Sequence, residues 1–363
     1  MSRKILIATG GTGGHIFPAL SLSRYFIKKK EYDVELISDQ RGLNYLNNYP
    51  DLKINVINTK TIFQKNPFKI FKALIILIFA LIKSFLLLIK KKPDIIFGMG
   101  GYSSFPICII GKLFKKKVVI YENNLIIGKT NKLLLPFIDK IFISYNQVAN
   151  INEKYKKKIL VVGNIIREEI INFKITNKII KDKKINLLVL GGSQAAKIFG
   201  EKLPEIFSQC KKNNIELKII QQCTSSQKNL LENFYNECEI ECEIFTFTKN
   251  IVKYFNQVDF AISRSGSSMS AELINCRIPF ISIPLPSAAE NHQLFNAKYF
   301  ESQGLSFLIE ERNIENNLFT LIKSIHEDKS LLNRIKEKQK KHSDKNVFEL
   351  VNKQIKKILN EKN

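Results

Sequence analysis

The strongest constraint on this chain is a succession of strand-like apolar runs that alternates with helical stretches from end to end. Runs at residues 5–8, 33–37, 54–57, 94–97, 118–121, 140–144 and 160–162 form one series. A second follows at 185–190, 216–221, 243–247, 260–263, 280–283 and 305–309. These runs are mostly apolar throughout rather than alternating, as suits a parallel sheet covered by helices on both faces. Each series opens with a strand that enters a glycine turn, Gly10-Gly11-Thr12-Gly13-Gly14 in the first and Gly191-Gly192-Ser193-Gln194 in the second. A polar, charged stretch at 172–184 separates them. The expectation is an α/β chain with two Rossmann-like, doubly wound parallel-sheet domains, and 363 residues suffice for two cores. Residues 1–168 and 169–345 are read as the domains, and 346–363 as a C-terminal helix packing back on the first. Ligands of such sheets bind beyond the carboxyl ends of the strands, so a cleft between the two sets of carboxyl-edge loops is the expected site.

The first turn carries more than a fold signal. Its glycines permit positive φ and close approach of a ligand, and a helix start supplies N–H groups and a positive dipole end. The spacing matches neither the dinucleotide pattern G-x-G-x-x-G nor a P-loop, because no Gly-Lys-Ser/Thr follows. His15 then places a titratable group beside an anion-binding turn.

Charge needs a careful reading. The 57 basic residues outweigh 33 acidic ones, for a net charge of +24. Most are lysines, scattered among abundant isoleucine and asparagine, and tryptophan is absent, which points to biased base composition. Such a surface favours anionic partners whatever its origin. No nucleic-acid motif accompanies it, and no nucleic-acid partner is expected. The six cysteines show no metal-ligand spacing, and no metal or other cofactor is expected. The chain enters a strand at once, so a cytoplasmic location is the expectation.

The segment from Ala73 to Ile89, ALIILIFALIKSFLLLI, is broken only by Lys83 and Ser84. Lys65, Lys69 and Lys72 precede it and Lys90-Lys91-Lys92 follow. It falls short of the roughly 20 apolar residues of a membrane span. It also lies between two strands of one sheet, which a span would place on opposite sides of the bilayer. A half-exposed helix docking on anionic lipid fits better, and a wholly buried core helix is the alternative.

Further motifs stand where strands end: Gly98-Met99-Gly100-Gly101-Tyr102, Tyr121-Glu122-Asn123-Asn124, Gly163-Asn164-Ile165-Ile166-Arg167, Arg264-Ser265-Gly266 leading to Glu272, and Ala288-Ala289-Glu290-Asn291-His292-Gln293. In this order, and over nearly the whole chain, the set resembles glycosyltransferase family 28, of the GT-B fold, in the branch that makes lipid II for peptidoglycan. The resemblance implies inverting transfer of N-acetylglucosamine from UDP-GlcNAc to the C4 hydroxyl of the muramyl sugar of lipid I. The alternative is a GT-B enzyme with another lipid acceptor. It also implies an acceptor-binding first domain, a donor-binding second domain, a peripheral place on the cytoplasmic face of the bacterial inner membrane, and other cell-wall enzymes as possible partners.

Carried over by position, Thr12, Gly13 and Gly14 contact the donor sugar or its diphosphate, and His15 is the base for the acceptor hydroxyl. Asn124 bonds the GlcNAc. Arg167 and Ser193 hold the diphosphate, Glu272 the ribose, and Gln293 the sugar hydroxyls. Glu122 is a second candidate catalytic carboxylate. The chemistry is coherent: a histidine titrates near neutrality, and loop N–H groups with an arginine can stabilise a departing diphosphate. No Asp-x-Asp stands in the chain to hold a metal against it. Against the family pattern, Ile165 replaces a proline, Ala195 a glycine, Tyr121 a histidine and Met269 a threonine.

Overall fold

The computed structural model describes residues 3–47, 49–63, 66–175, 184–192, 195–248 and 250–361. The chain divides into two compact units, Met1–Arg167 with Asp344–Asn363, and Glu168–Ser343. Among the described residues the first holds seven parallel strands: β1 (Arg3–Ala8), β2 (Tyr32–Ser38), β3 (Ile54–Val56), β4 (Ile95–Gly98), β5 (Lys117–Glu122), β6 (Lys140–Ile143) and β7 (Ile159–Val161). Their order is β3-β2-β1-β4-β5-β6-β7. The second holds six: β8 (Ile185–Leu190), β9 (Leu217–Gln222), β10 (Glu241–Phe245), β11 (Phe260–Ser263), β12 (Phe280–Ser282) and β13 (Phe307–Leu308), in the order β10-β9-β8-β11-β12-β13. Strand order reverses between β1 and β4 and again between β8 and β11, which makes those two carboxyl ends the switch points where open α/β sheets bind ligands.

Every expected strand is present, with most bounds moved by a residue or two. β10 begins two residues earlier than its apolar run, because Glu241 at its start pairs with Lys184 and Lys218, and charged residues suit an edge strand. β13 is only two residues long, since it pairs with β12 through Phe307 and Leu308 alone.

The central strands are buried, as their unbroken apolar character requires: Ile5, Leu6, Ile7, Ile95, Ile96 and Phe97 expose no surface. Gly111 lets the Ser104–Leu113 helix close on β4, for a Cβ there would lie 2.1 Å from Ile96 Cδ1. The Val347–Asn360 helix belongs to the first unit, where Phe348 stacks on Tyr25 at 5.0 Å and Tyr32 donates to Asn352 at 3.0 Å.

The apolar segment becomes the 25-residue helix Pro67–Lys91, longer than its sequence core because Asn66 caps it and Pro67 fills the first turn. By length and composition it could cross a membrane. It is nonetheless the crossover from β3 to β4 of one sheet. Only a narrow stripe of Ala73, Ala80, Ser84 and Leu88 is buried. Phe68 is 84% exposed and Phe71 and Phe79 are each 67% exposed, which removes the buried-core alternative. Its C-terminal end is fixed by Lys91, whose ammonium lies 2.7 Å from the buried Glu35 carboxylate, with Lys4 and Asn55 completing that carboxylate's partners. Without Lys91 the buried carboxylate would keep Lys4, at 3.6 Å, and Asn55, at 2.9 Å.

Candidate functional site at the two switch points

At the first switch point two glycine turns meet backbone to backbone. Met99 N–H donates to the Ala8 carbonyl at 2.7 Å, so the turn after β4 continues the pairing of β1. Gly101 has φ +77, and a Cβ on it would fall 2.4 Å from the Gly10 carbonyl oxygen. Gly100 has φ +86, and a Cβ there would strike His15 Nδ1 at 2.6 Å. Gly100 therefore makes room for the half-buried His15 ring on the carboxyl edge, and Gly101 lets the second turn close on the Gly10 backbone. Thr12, exposed, precedes the Gly13–Lys29 helix and accepts from His15 and Ile16 N–H through its carbonyl.

Asp39 and Arg41 shape this turn and were not singled out in the sequence. Asp39, 3% exposed at the end of β2, accepts from Gly11 N–H at 3.2 Å and Gly42 N–H at 2.9 Å through Oδ1. Its other oxygen takes Arg41 Nε at 3.3 Å and Nη2 at 2.9 Å. Burial works against the ionised carboxyl, but the bonds from Gly42, Arg41 and Gly11 outweigh it and hold the group below its usual range. The half-exposed guanidinium is thereby fixed beside Gly11. The signal was local and readable: an Asp three residues before Gly42, at a strand end, is a helix cap.

The loop after β5 closes the other side. Glu122 is 2% exposed and accepts four hydrogen bonds: from Asn124 N–H and Nδ2 through Oε1, and from Gly128 N–H and Asn131 Nδ2 through Oε2. This residue, expected as a second catalytic carboxylate, also shapes the loop from 122 to 131. Asn124 donates to Glu122 and to Asn123 Oδ1 at 3.0 Å, and Asn123 Nδ2 reaches the Gly14 carbonyl at 3.2 Å. The sequence-predicted Thr12, Gly13, Gly14, His15 and Asn124 thus share one carboxyl edge. Arg167 joins them at the end of the turn after β7, its guanidinium 5.8 Å from the ring of Phe17 on the helix that leaves the first glycine turn.

The second switch point is built from β8 and β11. Gly191 N–H donates to Gln222 Oε1 at 3.2 Å, and Gln222 Nε2 donates onward to the Thr246 carbonyl. A Cβ on Gly191 would lie 1.9 Å from Ala196 N, so the chain can turn here only at glycine. Ala195 takes φ +50, a left-handed conformation that a methyl-bearing residue resists by about 1–2 kcal/mol. Ser193 lies outside the described residues. After β11, the buried Arg264 donates to the carbonyls of Ile283 and Pro284, pairs with Glu311 and lies 4.8 Å from the Phe199 ring. Asn296 Nδ2 donates to the Ser265 carbonyl, tying the following helix back to this edge. Gln293 Oε1 accepts from Leu285 N–H at 3.0 Å, and Glu272 is buried on the Ser267–Asn275 helix. Gln293 and Glu272 therefore both lie on elements that flank the carboxyl edge of β11 and β12. The amide clamp Gln222 escaped the sequence reading because its partners, Gly191 and Thr246, lie 31 and 24 residues away, and the Arg264 motif was read without the partners that fix its guanidinium.

Comparisons with known proteins agree with this arrangement. The profile of the glycosyltransferase family 28 N-terminal domain matches residues 5–143, and that of the family 28 C-terminal domain matches 186–355. A protein of Pelagibacter ubique (strain HTCC1062), named UDP-N-acetylglucosamine--N-acetylmuramyl-(pentapeptide) pyrophosphoryl-undecaprenol N-acetylglucosamine transferase, is 33% identical over 362 residues, covering 99% of this chain and 100% of its own. A protein of the same name from Rickettsia canadensis (strain McKiel) is 36% identical over 315 residues, covering 86% and 87%. The crystal structure of Acinetobacter baumannii MurG superposes with a TM-score of 0.79 at 21% identity, covering 98% of this chain and 100% of that one, and shows the same two-sheet GT-B fold. On these grounds the chain belongs to glycosyltransferase family 28.

Proposed function

We propose that this protein transfers N-acetylglucosamine from UDP-GlcNAc to the muramyl C4 hydroxyl of lipid I, forming lipid II with inversion. The observation that carries the reading is the first switch point, where Gly100 admits the His15 ring and Gly101 the close approach of the Gly10 backbone. His15 accepts the acceptor proton as the hydroxyl attacks the anomeric carbon, and the bond to the UDP oxygen breaks. Thr12, Gly13 and Gly14 face the reacting sugar and diphosphate, and Arg167 with Ser193 offsets the charge that develops on the leaving UDP. Gln293 and Asn124 orient the transferred sugar, and Glu272 the ribose. Glu122 holds the loop that presents Asn124, so His15 is the base. Transfer of label from UDP-GlcNAc to a short-chain lipid I analogue tests this, with diacylglycerol and sterol acceptors as controls. Turnover on the lipid I analogue alone is expected, and preference for another acceptor would replace the assignment.

The Pro67–Lys91 helix supports a place on a membrane surface. Its exposed Phe68, Phe71, Ile78, Phe79, Ile82 and Leu86 form an apolar face, and Lys69, Lys72, Lys90 and Lys92 border it. A large apolar face with a lysine rim suits docking in the plane of an anionic leaflet, where each basic residue adds about 1 kcal/mol. Binding to anionic vesicles that weakens with salt is the expected outcome. Equal partitioning to neutral vesicles at all salt concentrations would remove the electrostatic part.

A further inference from the structure

Ile165, in the turn after β7, and Tyr121, at the end of β5, touch each other. By the resemblance drawn from the sequence, these are the positions of a proline and a histidine. Ile165 is 1% exposed, and unlike proline it brings an N–H that must find an acceptor once buried. That N–H donates to the Tyr121 hydroxyl at 2.9 Å. The same hydroxyl lies 2.7 Å from Ser144 Oγ and donates to the Gly163 carbonyl at 3.2 Å. With Ser144 as the second donor, the phenol accepts twice and donates once, which satisfies it fully. Tyr121 is 3% exposed, and burial pushes its phenol well above the usual value, so it remains a neutral donor and acceptor.

We propose that the Tyr121 hydroxyl is a positioning group for Arg167, doing by a hydrogen bond what a proline ring does by fixing φ. The start of the turn from Gly163 to Arg167 is held where Asn164 N–H donates to Asp344 at 2.7 Å and Gly163 at φ +93 leaves room for that carboxylate, and at its end the Arg167 guanidinium lies 5.8 Å from the Phe17 ring. Tyr121 grips both sides of the turn's middle, at Gly163 and Ile165, two residues before the arginine. Loss of that grip strands the Ile165 N–H and frees the segment that carries the guanidinium. The proposal rests on the assignment of Arg167 to the diphosphate of UDP-GlcNAc.

The test is a double-mutant cycle of Tyr121→Phe and Ile165→Pro, read by calorimetric titration with UDP-GlcNAc, by unfolding midpoint and by transfer to the lipid I analogue. Tyr121→Phe is expected to weaken UDP-GlcNAc binding about tenfold while leaving the KM for the acceptor within about twofold. Adding Ile165→Pro, which removes the stranded donor and restores a fixed φ, is expected to recover most of the binding. Unchanged donor binding in Tyr121→Phe, equal loss for both substrates, or a double variant no better than the single would each overturn the proposal. If Tyr121→Phe does not fold, a double variant that folds and binds UDP-GlcNAc like wild type supports it, and one that fails sinks it. Wild-type protein that binds UDP-GlcNAc without transferring sugar would refute the assigned reaction and still leave the cycle readable.

Discussion

At the end of β1, Gly11 donates its N–H to Asp39; at the end of β8, Gly191 donates its N–H to Gln222. Both acceptors stand at the carboxyl end of the next strand over, β2 in one unit and β9 in the other. The two sheets thus share a way of pinning a glycine turn to its neighbour, with different chemistry. In the first unit the pin is an ionised carboxylate, which by itself would repel a phosphate, and Arg41 offsets it with two hydrogen bonds. In the second the pin is a neutral amide, so the turn keeps the favourable field of its N–H groups without a compensating cation. A titratable ring also stands at only one of them: the first helix begins with Gly13-Gly14-His15, the second with Lys197, which pairs with Glu201 on the surface. Under the proposed reaction the first turn serves proton transfer beside an anion, and the second holds an anion.

The largest effect that follows from this contrast is on turnover. His15→Ala should lower transfer by about 10²- to 10⁴-fold without changing the unfolding midpoint, whereas Lys197→Ala should leave it within about threefold. Comparable losses in both variants would erase the distinction between the turns.

Next is Asp39→Asn, expected to cost about 1–3 kcal/mol in urea unfolding at neutral pH, because Arg41 loses its ionic partner and Gly11 a charged acceptor. The pH sign is definite. Asp39 is held below its ordinary value of about 4, so its contribution is fully present above that pH and is lost as pH falls through the lower folded value. The difference between wild type and the asparagine variant should therefore shrink as pH is lowered below about 4. A difference independent of pH would show that the carboxylate charge is irrelevant.

Gln222→Leu should cost less, about 1 kcal/mol, since it removes neutral hydrogen bonds only, and its stability difference should not vary with acid. The smallest effect has the opposite sign. Ala195→Gly should stabilise by about 1 kcal/mol, raising the midpoint by roughly 2–4 °C, because glycine accepts φ +50 without the clash that alanine suffers. No gain would mean that the turn relaxes elsewhere.

Much of the molecule was legible in one dimension. Apolar runs announced all thirteen strands, because a parallel sheet buried on both faces imposes unbroken hydrophobicity. Glycine clusters marked both switch points, because only glycine tolerates the positive φ of Gly11 and Gly192 and the near contact of Gly101 with Gly10. The exposed face of the Pro67–Lys91 helix was harder to read. Its sequence is apolar nearly all round, and only the narrow Ala73–Leu88 stripe that meets the sheet shows which side is buried. The surroundings of Glu122 were not legible either: the four hydrogen bonds that its carboxylate accepts come from residues up to nine positions on, brought together by the loop.

The sequence by itself determined the strand order's raw material, the two glycine turns, the histidine at the first and the family to which the chain is similar. Those are local signals, set by backbone conformation and by side chains a few residues apart. Only the tertiary structure decided that Asp39 anchors Gly11 from 28 residues away and that Tyr121 meets Ile165 across 44. Hydrogen bonds of that kind depend on which strands lie side by side and where their ends fall. No periodicity records this, which is why two substitutions that look like separate losses in the sequence form one contact in the fold.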